Sequence, residues 1–94
     1  MQSEELKSKA FEASTLLSSM SNEKRLMILC QLIDGERTVN ELAEQLNVRQ
    51  STVSQHLALL RKDGLVNSRR EAQAQYYSLV GEAAKSILET LYSI

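Results

Sequence analysis

Residues 39–64, V-N-E-L-A-E-Q-L-N-V-R-Q-S-T-V-S-Q-H-L-A-L-L-R-K-D-G, decide the fold. Val39, Leu42, Ala43 and Leu46 recur at helical spacing, so a first short helix shows them on one side. Asn47-Val48-Arg49 breaks the pattern. Val53, Leu57 and Leu60 then stand at i, i+4 and i+7, which turns all three inward on a second helix. At about 100° per residue, Ser51, Ser54, Gln55, Ala58 and Lys62 fall on the opposite arc. An ordinary solvated helix face carries Glu and Lys, which pair at i,i+4. This one is small and mostly uncharged, with Arg49, Arg61 and Lys62 at its ends. Such side chains admit a close approach to a groove, and their hydroxyls and amides reach phosphates and base edges.

Downstream the period changes. Residues 65–70 and 75–80 read as two extended segments, with Val66, Tyr77 and Leu79 inward and the polar residues 71–74 as the connection. Gly81 then opens a last helix with Ala84, Ile87, Leu88 and Leu91 on one face. Upstream, residues 23–33 read as a helix burying Leu26, Leu29, Cys30 and Ile33. Ser21-Asn22 supply its cap, and Asp34-Gly35 its stop. Residues 4–20 form a further helix with Leu6, Ala10, Ala13, Leu16, Leu17 and Met20 in its stripe. The order α-α-α-α-β-β-α, mainly α with one small β-hairpin (α+β), is that of a winged helix-turn-helix: 39–64 the helix-turn-helix, 65–80 the wing. The long apolar faces of 1–20 and 82–94 exceed what a small core needs. They are expected to meet their copies across a two-fold axis in a homodimer.

With 94 residues the chain makes a single domain, 1–94. Its net charge of −1 argues against a uniformly basic nucleic-acid binder. The charge is uneven: residues 49–70 hold Arg49, Arg61, Lys62, Arg69 and Arg70 against Asp63 alone, or +4, leaving −5 elsewhere. A basic segment on an acidic body is an electrostatic footprint for DNA. No apolar run is long enough to span a membrane, and the acidic start M-Q-S-E-E-L-K is unlike a secretion signal. One cysteine excludes an intrachain disulfide and fits a reducing compartment, so a cytoplasmic location is expected. No phosphate loop, Cys/His pair or carboxylate dyad suggests an enzyme, and no cofactor is implied.

Five segments, SNEKRLMIL (21–29), ELA (41–43), QSTVSQHL (50–57), GLV (64–66) and YYSL (76–79), together resemble the ArsR/SmtB family of bacterial repressors. The resemblance runs from about residue 14 to the end. It implies a dimeric winged helix that occupies a palindromic DNA operator and leaves when an inducer binds. It places DNA-reading positions at Gln50, Ser51, Thr52, Ser54, Gln55 and His56, with Lys62 on the same outer face, and wing contacts at Arg69 and Arg70. For His56, packing against the domain is the competing expectation. Tyr76 and Tyr77 are expected to pack the hairpin rather than stack on bases.

The family's metal sites find no match here: residues 39–46 lack cysteine, and the last helix offers only Glu82 and Glu89, without His. Residues 61–73, R-K-D-G-L-V-N-S-R-R-E-A-Q, are most similar to the HlyU/BigR branch, which responds to thiol oxidation or reactive sulfur. That branch implies a cysteine at Cys30 and a second after a Leu-Tyr pair, where this chain has Leu91-Tyr92-Ser93. A serine hydroxyl forms no disulfide. Cys30 is therefore either a buried core thiol or a lone redox or sulfur sensor. Two other expectations remain beside the repressor or anti-repressor: a metal-responsive member of the family, and a protein-interaction module that no longer binds DNA.

Overall fold

The computed structural model describes residues 2–94, and Met1, included in the expected segment 1–20, lies outside them. Helix α1 spans Ser3–Met20, α2 Glu23–Ile33, α3 Val39–Leu46 and α4 Gln50–Lys62. Strands β1 (Val66–Glu71) and β2 (Ala74–Leu79) follow, then α5 (Glu82–Tyr92). Local chemistry sets these boundaries. Asn22 caps α2 by accepting from the Arg25 N–H at 3.1 Å. Thr38 and Glu41 form a reciprocal capping box at the start of α3: Thr38 Oγ1 accepts from Glu41 N at 3.1 Å, and Glu41 Oε1 from Thr38 N at 2.8 Å. Asn47 closes α3 with a left-handed φ of 54°, a conformation that Asn tolerates better than most residues.

The core is one cluster centred on α2, α3 and α4, in which Leu29, Leu42, Val53, Leu57, Leu60 and Leu88 are fully buried. The stripe expected on α4 is borne out; on α3 Leu42 and Ala43 are buried, and Val39 and Leu46 are half-buried against the core. On α2 the buried set is Ile28, Leu29 and Leu32, while the expected Leu26, Cys30 and Ile33 are only half-buried. The helix is enclosed by α3, α4, α5 and β2, so burial extends beyond a single stripe. On α5, Ala84 and Leu88 are buried, but Leu91 is exposed. Helix α1 buries only its last turn, at Ser19 and Met20.

The hairpin pairs antiparallel from Val66↔Leu79 to Glu71↔Ala74. The connection is therefore the two residues Ala72-Gln73, not the four expected. Ala72 takes φ 56° while Gln73 stays negative, the φ signs of a II′ turn, where Gly usually supplies the first position. A single-residue bridge joins the hairpin at Arg37, which exchanges both main-chain hydrogen bonds with Tyr77, at 3.1 and 2.8 Å. Among the described residues, no helix is long and apolar enough to cross a membrane.

Candidate nucleic-acid interface

Helix α4 is held by its inner face and left bare on its outer one. Val53, Leu57 and Leu60 have no accessible surface. Gln50, Ser51, Ser54, Gln55, Ala58 and Lys62 are exposed, and Thr52 is half-buried on the flank. Among the described residues, no side-chain hydrogen bond engages any of these outer groups. Arg49, at the N-cap, offers no side-chain cap, so the first N–H groups of α4 are not satisfied by it. Arg61 and Lys62 lie in the last turn, where the helix dipole favours cations. The surface is a row of uncommitted donors and acceptors with positive ends.

His56 sits where α4 meets the first two helices. Its Nδ1 accepts a long hydrogen bond, 3.4 Å, from Arg25 Nε. Arg25 also donates through Nη1 to Ser19 O at 3.2 Å, and Ser19 Oγ donates to Asp63 Oδ2 at 2.7 Å. One chain of contacts thus ties the end of α1, the start of α2, the middle of α4 and its C-cap. Burial, then the charges of Arg25 and Lys24, hold the His56 pKa below its ordinary 6.5. The ring is therefore neutral at pH 7, and because Nδ1 accepts, its proton sits on Nε2.

The wing separates its two arginines. Neighbouring strand residues point to opposite faces, so Arg70 shares a face with Ser68 and Gln75, whereas Arg69 lies across from Tyr76. Gln75 Nε2 donates to Ser68 Oγ at 2.9 Å, which stiffens the first of these faces. Arg70 is exposed and takes part in no ion pair among the described residues. Arg69, though exposed, is engaged by two carboxylates and a ring. Its Nε and Nη2 donate to the two oxygens of Glu36 at 2.7 and 2.8 Å, and Nη1 donates to Glu71 at 2.8 Å. Its guanidinium lies 4.8 Å from the centroid of the Tyr76 ring. These bonds hold the Glu36 carboxyl below its usual range and push Arg69 further up.

A helix-turn-helix with a bare recognition face and a two-stranded wing matches a known family of bacterial regulators. Residues 22–68 fit the model for "Bacterial regulatory protein, arsR family". Over the whole chain, 94 residues, the sequence is 46% identical to the transcriptional activator HlyU of Vibrio cholerae, covering 87% of that protein. The chain belongs to the arsR family. The solved structure of reduced HlyU from the same species superposes with a TM-score of 0.89 at 47% identity, covering 95% of this chain and 94% of that one. The repressor BigR of Xylella fastidiosa superposes at 0.89 with 36% identity over 99% of this chain and 95% of that one. A homodimeric winged helix-turn-helix DNA-binding domain from Mycobacterium bovis superposes at 0.81 with 30% identity, covering 98% and 85%. The architecture expected from the residues is thus that of HlyU and its relatives, whose named roles are transcriptional regulation rather than catalysis.

In this arsR-family chain the remaining candidate, Cys30, borders a recess with Gln31, Ile33, Asp34, Glu89 and Tyr92. It is half-buried, and burial pushes its thiol pKa up, which disfavours the reactive thiolate. Tyr92 shares the recess, but its neighbour Ser93 is turned back on its own helix, where Oγ donates to Thr90 O at 2.7 Å. Among the described residues, no three His, Cys, Asp or Glu side chains converge as a metal site. The residues that sequence reasoning missed are Glu36, Arg25 and Ser19. Only the capping Asn22 hinted at one of them, by fixing where α2 begins and hence where Arg25 points.

Proposed function

We propose that the chain is a homodimeric, sequence-specific DNA-binding transcriptional regulator, repressor or anti-repressor, with α4 of each subunit in the major groove of a palindromic operator. The observation that carries this is the outer face of α4. Its groups are exposed, without internal partners and backed by a fully buried inner face. Gln50, Ser51, Ser54 and Gln55 are placed to reach bases and phosphates, with Thr52 and the Nε2–H of His56 on the flank. Lys62 and Arg70 supply uncommitted cations to the backbone. A dimer is supported by the apolar surface that the single chain leaves open: Leu6 at 49% exposure, Phe11 at 74%, Leu17 at 52% and Tyr92 at 84%, all on α1 and α5. The homodimeric M. bovis relative supports the same assembly.

Cys30 is the only thiol among the 94 residues, so a thiol-oxidation or reactive-sulfur signal acting on this chain enters there. With no second thiol on the chain, the product is a sulfenate, a persulfide or a disulfide to another molecule.

The test is fluorescence anisotropy on the DNA just upstream of the protein's own gene, reduced and with chelator throughout, then with an organic polysulfide. The expected result is two chains per duplex, with affinity that falls steeply with salt as bound phosphates release counterions. Binding lost on polysulfide treatment, and kept in Cys30→Ala, assigns the input to Cys30; binding indifferent to treatment removes the thiol from the reading. No shift on any duplex at low salt leaves the interaction-module reading in its place.

A further inference from the structure

We infer that Arg69 is the fastener of the wing rather than one of its DNA contacts, with Glu36, between α2 and α3, as its partner. The inference rests on the DNA-binding reading above and divides the labour of the two wing arginines. Three of the five N–H groups of Arg69 are taken by carboxylates, two of them in a fork onto both oxygens of Glu36. The face of the guanidinium lies over Tyr76. The cluster of Glu36, Glu71 and Arg69 holds two negative charges and one positive, so a phosphate approaching it is repelled by the sum. Arg70, on the opposite face of β1, has no carboxylate in ion-pair contact among the described residues. It is the wing's phosphate cation.

What the fork achieves is geometric. Glu36 precedes Arg37, whose main chain pairs with Tyr77, so the same two residues grip the hairpin by backbone and by side chain. Arg69 reaches from β1 past the Tyr76 ring of β2 to Glu36, clasping the full width of the small sheet. The gripped segment then enters α3 directly through the Thr38 capping box, and α3 packs on α4. The wing and the recognition helix are thereby fixed to one frame before any duplex arrives. Preorganisation of this kind strengthens binding by removing an ordering cost rather than by adding a contact. An exposed pair contributes little to global stability, so its loss loosens the wing without unfolding the domain.

The roles of fastener and phosphate contact predict opposite signs. Removing a negative charge from a DNA-binding surface ordinarily tightens binding. For a fastener, Glu36→Gln instead weakens binding to the upstream DNA by about tenfold. Arg69→Lys keeps the charge but not the fork, and weakens binding to the same degree. The double variant is no worse than either single one, because both remove one interaction. The slope of log K against log salt stays at the wild-type value in all three, whereas Arg70→Gln lowers it by about 1.8, since the dimer loses one phosphate contact from each subunit at about 0.9 apiece. Thermal midpoints stay unchanged, and amide exchange at Arg37 and Tyr77 quickens in Glu36→Gln. Wild-type affinity in Arg69→Lys, or equal or tighter binding in Glu36→Gln, overturns the inference. Wild-type protein that binds no duplex at low salt overturns the DNA-binding reading itself, which is a separate outcome.

Discussion

The outer face of α4 and the Arg69 face of the wing are both polar and exposed, yet they are built in opposite ways. On α4, Ser51, Ser54, Gln55 and Lys62 have no side-chain hydrogen bond among the described residues, and the helix is held from beneath by Val53, Leu57 and Leu60 and on its flank by the His56–Arg25 contact. On the wing, Arg69 is bonded to Glu36 and Glu71 and lies over Tyr76, while little of the strand pair is buried beyond Val66. A surface anchored from below can leave its polar groups open to a ligand. A thin hairpin with little core beneath must use some of its polar groups to hold itself in place.

The largest effect that tests this contrast is on the anchored side. Leu57→Ala removes a side chain with no accessible surface, and is expected to lower unfolding free energy by about 2–5 kcal/mol. Gln55→Ala, two residues away on the outer arc, should stay within about 0.5 kcal/mol of wild type. Urea denaturation of both variants checks the pair. Comparable losses at the two positions would show that the outer face is part of the scaffold, and the contrast would collapse.

A second, smaller effect reads the same helix by its binding. Gln55→Ala should cost on the order of 1–3 kcal/mol on the preferred operator if the amide makes a bidentate contact to one base. The loss should fall on that base position, measured by competition among single-base operator variants. A loss equal on every duplex would reassign Gln55 to the phosphate backbone.

These contrasts were unequally legible in the sequence. The helices of the core announce themselves because their signals are local: the Asn22 cap before α2, the Asp34-Gly35 stop after it, and the spacing of Val53, Leu57 and Leu60. The outer face of α4 follows from the inner one by rotation alone. The wing followed from the change of period after Gly64, and the match to HlyU over the whole chain agrees with the family resemblance. The wing's fastening was not legible. Glu36 and Arg69 stand 33 residues apart, and nothing local marks either as the other's partner. Both arginines counted equally toward a basic segment, because a sum of charges does not register which face of a strand each one occupies. The Arg37–Tyr77 bridge was hidden for the same reason, since one residue of pairing leaves no periodicity to read.

The turn at Ala72 gives the smallest and sharpest test. The expected four-residue connection followed from polarity; the two-residue loop that forms instead requires the first residue to take φ 56° with a Cβ present. A left-handed L-residue costs about 1–2 kcal/mol, and glycine at the same place gives back about 0.5–1 kcal/mol in backbone entropy. Ala72→Gly should therefore raise unfolding free energy by no more than about 1.5 kcal/mol, measurable as a small rise in the denaturation midpoint. The side chain of Ala72 is exposed and touches neither Arg69 nor the recognition helix in any bond found here. If the wing is positioned by its fastener, relaxing its tip leaves operator affinity where it was. If affinity changes along with the turn, the hairpin tip sets the wing's position, and the contrast between a surface anchored from below and one clasped from the side must be redrawn around Ala72.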